Sequence, residues 1–445
     1  MERFSGLIGV ALILAIAFAF SNNRKAINYR LVLSGLGLQL FLAVLILKVP
    51  IVTRFFQTLG KGMEKIEQFA REGAMFCFGH VLPNPPEAAK VFGPANAFIF
   101  AFNIPATIII VCVLVAILYH YGIMQRLVAI IARGVNFLMG ASGAESLSNV
   151  ASAFVGQVEA QVMIRPYIKG MTNSELLASM SGSMACIAGG ILIVYVNMGV
   201  PAEYLIAASL MAAPGSLVIA KIVLPETQES QTKGVVKLEV KSSYTNIIDA
   251  ISHGASDGMK ISINVIAMLI GFIALIAFVN YLLGHIHPVL EWWLNVKAIW
   301  SANHNNRRLT LAEWHNLPPF FNFLQGLSLN SIFGWVFYPI AWAMGVPVAE
   351  VKTVATFMGQ KMAINEFVAY ANLTAIKETL SPKALLIASF ALCGFANFSS
   401  VGIQIGGIGE LAPERRTDLA KLGLRALLCG TLASYLSATI AGILS

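Results

Sequence analysis

Apolar residues recur along this chain in long runs, at about 4–20, 31–48, 97–121, 175–198, 201–223, 259–284, 384–408 and 420–444. Helical runs of roughly 17–25 residues are long enough to cross a hydrocarbon core about 30 Å thick. The pattern predicts an all-α integral membrane protein. Between the runs the texture changes. Residues 54–73 (RFFQTLGKGMEKIEQFAREG) place apolar residues at helical spacing with Lys61, Lys65 and Arg71 among the polar positions. That predicts a helix lying in the membrane interface, and 123–138 reads the same way. Residues 226–243 are polar and short of aromatics and predict a solvated loop. A second polar loop, 301–317, sits beside Trp292, Trp293 and Trp300, residues suited to a membrane surface.

Two segments fit neither class. Residues 143–170 and 349–378 are helical in pattern, yet each carries a carboxylate and amides at its middle. Neither has the apolar length to span as one helix. Each predicts a re-entrant hairpin, two half-helices meeting at a polar tip inside the protein, because irregular backbone at membrane depth is tolerated only where it is buried or lines a wet cavity. Each is followed by an apolar helix with a broken middle, the first at Ala188-Gly189-Gly190 and the second from Gly394 to Ser400. The spacing agrees: Glu159 lies 30 residues before Gly189, and Glu366 lies 31 before Asn397. Matching interrupted segments in two halves point to the substrate site of a secondary transporter.

Composition narrows the class. Of 445 residues, 57% are hydrophobic and 12% charged, and the mean hydropathy is +0.74. A soluble chain carries about 25% charge, so a soluble enzyme is excluded. The net charge of +8 comes from bases gathered in loops, as at Arg24, Lys25 and Arg30 and at Arg415, Arg416 and Lys421. That is a positive-inside pattern and not a nucleic-acid surface. Cys77, Cys112, Cys186, Cys393 and Cys429 form no C-x-x-C pair and read as small apolar fillers. The stretch Leu7 to Phe20 lacks a basic start and a small-residue cleavage site, so it is read as a first transmembrane helix and not as a signal peptide. His285 and His287, at a helix end before Pro288, read as interfacial polar residues and not as metal ligands.

Three clusters carry the candidate chemistry. Gly156-Gln157-Val158-Glu159 sets a carboxylate where a charge costs at least about 2.5–3.5 kcal/mol, which marks a functional residue. The Gln157 amide offers a donor and an acceptor to a heterocyclic base edge. The competing reading pairs Glu159 with Arg165. Asn365-Glu366 offers a carboxylate to vicinal hydroxyls such as those of a sugar, against a salt bridge from Glu366 to Lys361. Phe395-Ala396-Asn397-Phe398-Ser399-Ser400 offers hydrogen-bonding groups where the helix unwinds, and an aromatic ring to stack on a base. No catalytic nucleophile motif, phosphate-binding loop or metal-ligand spacing is present in the sequence, so transport energy must come from an ion gradient or from the solute itself.

The strings SNNRKAINYR (21–30), GQVEAQVMIRPYI (156–168), AASLMAAPGSLVIAKIVLPET (207–227), NEFVAYA (365–371) and ALCGFANFSSVGIQIGGIGELAPERR (391–416) resemble bacterial concentrative nucleoside transporters. The similarity runs over nearly the whole chain. It implies about eight transmembrane helices, two re-entrant helical hairpins and interfacial helices, with an inverted-repeat transport domain moving on a trimeric scaffold in an elevator-like cycle. It implies a homotrimer in a bacterial cytoplasmic membrane that imports nucleosides. By this resemblance, residues 1–122 are scaffold helices with an interfacial helix and 123–224 the first transport-domain repeat. Residues 225–345 are a linker, a scaffold helix and an extended loop around 288–328, and 346–445 the second repeat.

The resemblance also assigns residues. Gln157 and Glu159 bind the base with Ile191 lining the pocket. Glu366, Asn397 and Ser400 bind the ribose, and Phe395 is the pocket aromatic. Three positions depart from the family pattern. Val158 replaces a threonine and removes one hydroxyl contact to the base, while Gln157 still favours pyrimidine nucleosides such as uridine. Ser152 and Cys186 stand where sodium-coupled members carry Asn and Ser. Sodium, a hard cation, wants oxygen ligands, so the expected coupling ion is a proton held by Glu159 or Glu366. The alternatives are a sodium site near Asn149, Ser152 and Cys186, or passive facilitation. No cofactor is expected.

Overall fold

The computed structural model describes residues 2–93, 99–233, 244–301 and 327–445. Its helices, in chain order, are α1 (Glu2–Ala19), α2 (Tyr29–Lys48), α3 (Pro50–Phe78), α4 (Pro85–Phe92), α5 (Phe100–His120), α6 (Ile123–Met139), α7 (Gly143–Ser152), α8 (Glu159–Val162) and α9 (Arg165–Ile168). They continue as α10 (Asn173–Ala185), α11 (Gly189–Asn197), α12 (Ala202–Val223), α13 (Ile247–Ser301), α14 (Leu329–Val336), α15 (Tyr338–Ala343) and α16 (Val351–Ala363). The last are α17 (Glu366–Ala375), α18 (Pro382–Leu392), α19 (Phe398–Leu411) and α20 (Arg416–Leu444). Among the described residues, four helical stretches are long and apolar enough to cross a membrane unaided: Tyr29–Lys48, Phe100–His120, Ala202–Val223 and Pro413–Leu444. The other expected spans are α1, α13 and the two broken helices, α10–α11 and α18–α19.

The two halves carry the same succession of elements. In the first, α7 and α8–α9 form hairpin 1, followed by α10, a break, α11 and α12. In the second, α16 and α17 form hairpin 2, followed by α18, a break, α19 and α20. Side-chain ties show that the halves are inverted. Arg415, beyond the end of α19, donates to the carbonyls of Ile168, Lys169 and Met171 at 3.3, 3.2 and 2.6 Å, which sets that end at the base of hairpin 1. Lys377, at the base of hairpin 2, donates to the Gly199 carbonyl beyond the end of α11 at 3.4 Å. The broken helices therefore run antiparallel, and the hairpins enter from opposite faces.

The breaks touch. The Phe395 N–H donates to the Cys186 carbonyl at 3.2 Å, so unwound backbone of one helix satisfies unwound backbone of the other. Gly394, at φ +137, lies where an added Cβ would come 2.6 Å from the Ala185 carbonyl oxygen, and only glycine fits both demands. The first break falls at Cys186–Ala188, slightly before the expected Ala188–Gly190, because Gly189 already opens α11 against hairpin 1. Its N–H donates to the Phe154 carbonyl at 3.2 Å.

Other expectations are corrected. The second arm of hairpin 1 is two short turns and not one half-helix, since Pro166 lacks an N–H and clashes with the preceding turn. The run expected at 259–284 begins at Ile247. Its first turns look too polar to span, but Gly254 and Gly258 form a G-x-x-x-G face whose added Cβ atoms would come 2.8 Å from the Cys112 carbonyl oxygen and 2.6 Å from Ile109 Cα. Small residues at this spacing let α13 and α5 pack backbone to backbone. The helix also takes up residues 288–301, expected as extended loop, while 302–326 and the rest of the expected 301–317 loop lie outside the described residues.

The loop expected after 226 is pinned as far as it is described, and 234–243 lie outside the described residues. Ser142 and Thr172 head capping boxes on α7 and α10 with Glu145 and Glu175. The leftover N–H groups of these helix starts need acceptors, and Thr232 supplies them to Gly143 and Ala144 at 2.9 and 3.1 Å. Ser230 hydrogen-bonds Glu175. Lys221, at the end of α12, closes the cluster on Glu145 at 2.8 Å and Glu226 at 3.2 Å. Removing one partner of so buried a pair strands the other charge, at a cost of about 3–5 kcal/mol. Lys221→Met should therefore lower the melting temperature of the purified protein sharply, and adding Glu145→Leu should recover most of it. A single variant that melts like the parent would show that Glu145 has another counter-charge.

Candidate functional site

Both hairpin tips and both broken helices open onto one cavity of about 310 Å³. Gln157, Val158, Glu159, Ile191, Glu366, Phe395, Asn397 and Ser400 all line it. The structure thus brings together every substrate-binding residue expected from the sequence.

Glu366 opens α17 and is buried, with 6% exposure. Asn365 caps this helix, its Oδ1 accepting the Val368 N–H at 3.0 Å. Asn397 caps α19 in the same way, accepting the Ser400 N–H at 2.9 Å and the Ser399 hydroxyl at 2.7 Å. Its amide Nδ2 donates to Glu366 Oε2 at 3.1 Å. The other oxygen, Oε1, accepts from the Tyr195 hydroxyl at 3.0 Å. Asn397 therefore both satisfies freed backbone and orients a carboxylate, and each hydrogen bond to a charged group contributes about 1.5–3 kcal/mol. Lys361 is not the Glu366 partner: it donates to the Ala391 carbonyl at 2.9 Å, and among the described residues it forms no ion pair.

On the opposite wall, Glu159 opens α8 with no ion pair to Arg165 among the described residues. Gly156 leaves room beneath it, since an added Cβ would fall 2.0 Å from Glu159 Oε2 and push that carboxylate aside. Val158 seats its methyls on Gly407 of α19, where an added Cβ would lie 2.6 Å from Val158 Cγ2. Gln157 Oε1 meets Gln404 Nε2 of the same helix at 3.5 Å. Hairpin 1 is thereby docked onto the second repeat.

A second cavity of about 290 Å³ adjoins the first, sharing Gly156, Glu159 and Ile191 and extending to Tyr119, Tyr244 and Asp257. It continues the site along α5 and α13 toward the chain face that holds the base of hairpin 1.

The expected ion-coupling residues do not point at one centre. Asn149 Oδ1 accepts from the Ser216 hydroxyl at 2.5 Å. The Ser152 hydroxyl donates to the Ser148 carbonyl at 2.8 Å and lies 3.0 Å from Ser183 Oγ. Cys186 Sγ faces the Ser209 carbonyl at 3.6 Å. The cysteines are free thiols. His285 bonds the Tyr281 carbonyl at 2.7 Å, and the His287 side chain lies outside the described residues.

Sequence reasoning missed Tyr195, Phe367, Asn264 and Gln404. Tyr195 sits in an apolar run, fully buried, with its ring 4.4 Å from that of Tyr370 and 6.1 Å from that of Phe367. An isolated tyrosine in such a run reads as packing, and only the cross-repeat contact reveals its role.

Family comparison decides the class. A family described as the C-terminus of Na+ dependent nucleoside transporters matches residues 204–442, more than half of the chain. The chain belongs to the concentrative nucleoside transporter family. The corresponding N-terminal family matches 8–81, and a gate family described as nucleoside recognition matches 101–202. Among relatives of this transporter family, the uncharacterised transporter YutK of Bacillus subtilis is 40% identical over 444 residues, covering 100% of both chains. Nucleoside permease NupC of Helicobacter pylori is 36% identical, covering 98% of this chain and 96% of the permease. Sodium/nucleoside cotransporter 2 of Rattus norvegicus is 35% identical over all of this chain, which spans 63% of that longer protein. The structure of CNTnw in an inward-facing substrate-bound state superposes with a TM-score of 0.86 at 39% identity, covering 100% of this chain and 98% of that one. These relatives are membrane transporters and not enzymes, and this chain is a multi-pass membrane transporter.

If Gly156 is the seat of the Glu159 carboxylate, Gly156→Ala should weaken nucleoside binding by about tenfold, or about 1.4 kcal/mol, with folded yield unchanged. Gly62→Ala, where nothing lies within 4 Å of an added Cβ, should bind normally. Equal binding by both variants would remove Glu159 from the site.

Proposed function

We propose that this chain imports nucleosides, with pyrimidine nucleosides such as uridine favoured, by proton symport across a bacterial cytoplasmic membrane. One observation carries this reading: base-type recognition groups on hairpin 1 and ribose-type groups on hairpin 2 and α19 line opposite walls of one cavity. Its volume of about 310 Å³ falls within the ordinary range for small-ligand sites, about 300–1,000 Å³. Gln157 and Glu159 meet the base edge, Ile191 and Phe395 its faces. Glu366, steered by Tyr195 and Asn397, accepts from the ribose hydroxyls, and Ser400 completes that side. Val158 offers the base no hydroxyl, which leaves its recognition to the Gln157 amide.

Alternating access is proposed as an elevator-like movement of residues 123–224 and 346–445 against a homotrimeric scaffold of 1–122 and 225–345. Two hairpins entering from opposite faces to meet at one site suit such a cycle, since each can guard one side. The close α5–α13 contact through Gly254 and Gly258 supplies a stiff wall beside the site. Proton coupling is supported by the sulfur at Cys186 and by the engaged oxygens of Asn149 and Ser152; Glu159 or Glu366 carries the proton. Sodium coupling is the second reading, favoured by the sodium-dependent description of the matching family.

Uridine uptake into proteoliposomes should proceed in sodium-free buffer and accelerate with an inward proton gradient. Uptake that requires sodium and ignores the pH gradient would eliminate proton coupling. Glu366→Gln should abolish uptake with insertion intact. Gln157→Ala should change preference among nucleosides, and an equal loss for all of them would count against a base-reading role.

A further inference from the structure

Behind the tip of hairpin 1 lies a polar cluster that the nucleoside cavity does not use. Ser148 and Ser152 of α7, Gln161 of α8, and Ser179 and Ser183 of α10 are each at most 2% exposed. Gln161 is the hub. Its Nε2 donates to Ser148 Oγ at 3.0 Å and to Ser183 Oγ at 2.7 Å, and its Oε1 accepts from Ser179 Oγ at 2.6 Å. Ser148 and Ser179 lie 2.6 Å apart, Ser152 and Ser183 3.0 Å apart. A side-chain amide has two N–H donors and one acceptor oxygen, and all are in use. Five buried polar side chains from three helices are satisfied by one another and by the Ser148 and Ser179 carbonyls.

Oxygens packed this densely are otherwise the ligand set of a hard cation, which needs their lone pairs turned to a common centre. Here the Gln161 amide occupies the centre. It presents the positive ends of two N–H dipoles to Ser148 and Ser183, the electrostatic role a cation would fill. The remaining oxygen of an expected sodium site, Asn149 Oδ1, is spent on Ser216 at 2.5 Å and lies against Gly182. Cys186 offers sulfur, turned to the Ser209 carbonyl. The residues present do not fit sodium.

We propose that Gln161 is a built-in replacement for a coupling cation and the determinant of ion specificity in this chain. Its contacts dock hairpin 1 on α10 without calling on a sodium ion. Its role in coupling rests on the nucleoside-transport reading; its role in docking does not.

The test uses the full-length protein in sodium chloride and in choline chloride of equal ionic strength. Melting temperature is read in detergent and uridine uptake in proteoliposomes. The wild type should melt and transport alike in both salts. Gln161→Ala bares the serine hydroxyls: it should melt lower in choline, recover in sodium, and take up uridine with an apparent affinity about fivefold higher in sodium, the lower end of ordinary coupling between two sites. A wild type that melts higher or transports faster in sodium overturns the proposal. So does a Gln161→Ala variant that keeps the wild-type melting temperature and ignores sodium. If that variant fails to insert, Gln161→Asn, whose shorter amide cannot reach both Ser148 and Ser183, should show the same sodium response at smaller amplitude, and its indifference to sodium would equally overturn the proposal. A wild type that neither binds nor moves uridine in either salt would sink the transport reading, while the melting comparison still judges Gln161.

Discussion

The Glu366 carboxylate takes one hydrogen bond from each repeat, from Tyr195 on α11 at 3.0 Å and from Asn397 ahead of α19 at 3.1 Å. A charge at this depth is costly unless it is paired or hydrogen-bonded, so the cost is met only while both broken helices hold their places. Hairpin 2 supplies the carboxylate, and the two helix breaks supply what orients it. The same two donors leave the remaining lone pairs of Glu366 directed to the cavity. Stability of the crossing and readiness to bind hydroxyls thus come from one arrangement.

Inversion follows from where unpaired backbone can be satisfied. A helix interrupted in hydrocarbon has no water to bond its freed N–H and C=O groups. Two antiparallel helices that break at the same depth can serve each other, as the Phe395 N–H and Cys186 carbonyl do. Asparagine caps finish the task, at Asn365 for α17 and Asn397 for α19. At the two faces, Arg415 and Lys377 tie the end of one broken helix to the start of the other. Each tie spans the repeats, so the hairpins and broken helices form one unit around the cavity.

Much of this was legible in the chain. Carboxylates and amides inside apolar stretches have few innocent explanations, so Gln157, Glu159, Glu366 and Asn397 stood out, and all line the cavity. The hairpins and broken helices were legible for the same reason. Less legible was anything decided by a distant partner. Tyr195 and Gln161 sit in sequence contexts that read as packing, and contacts with Glu366 and three serines give them their roles. The first turns of α13 looked too polar to span, because the G-x-x-x-G face that fits α5 is small and not apolar. The residues from 226 looked solvated because their partners, the open starts of α7 and α10, lie more than fifty residues away. The short turns of hairpin 1 were legible in principle from Pro166, but the periodicity across it concealed the break.

The central claim is that one cavity holds a nucleoside between the tips of two inverted hairpins. A cryo-electron microscopy map of the full chain with uridine bound tests it most directly. The account predicts the uracil edge within hydrogen-bond distance of Gln157 and the ribose hydroxyls on Glu366. Uridine density elsewhere in the protein, with this cavity empty, would contradict it.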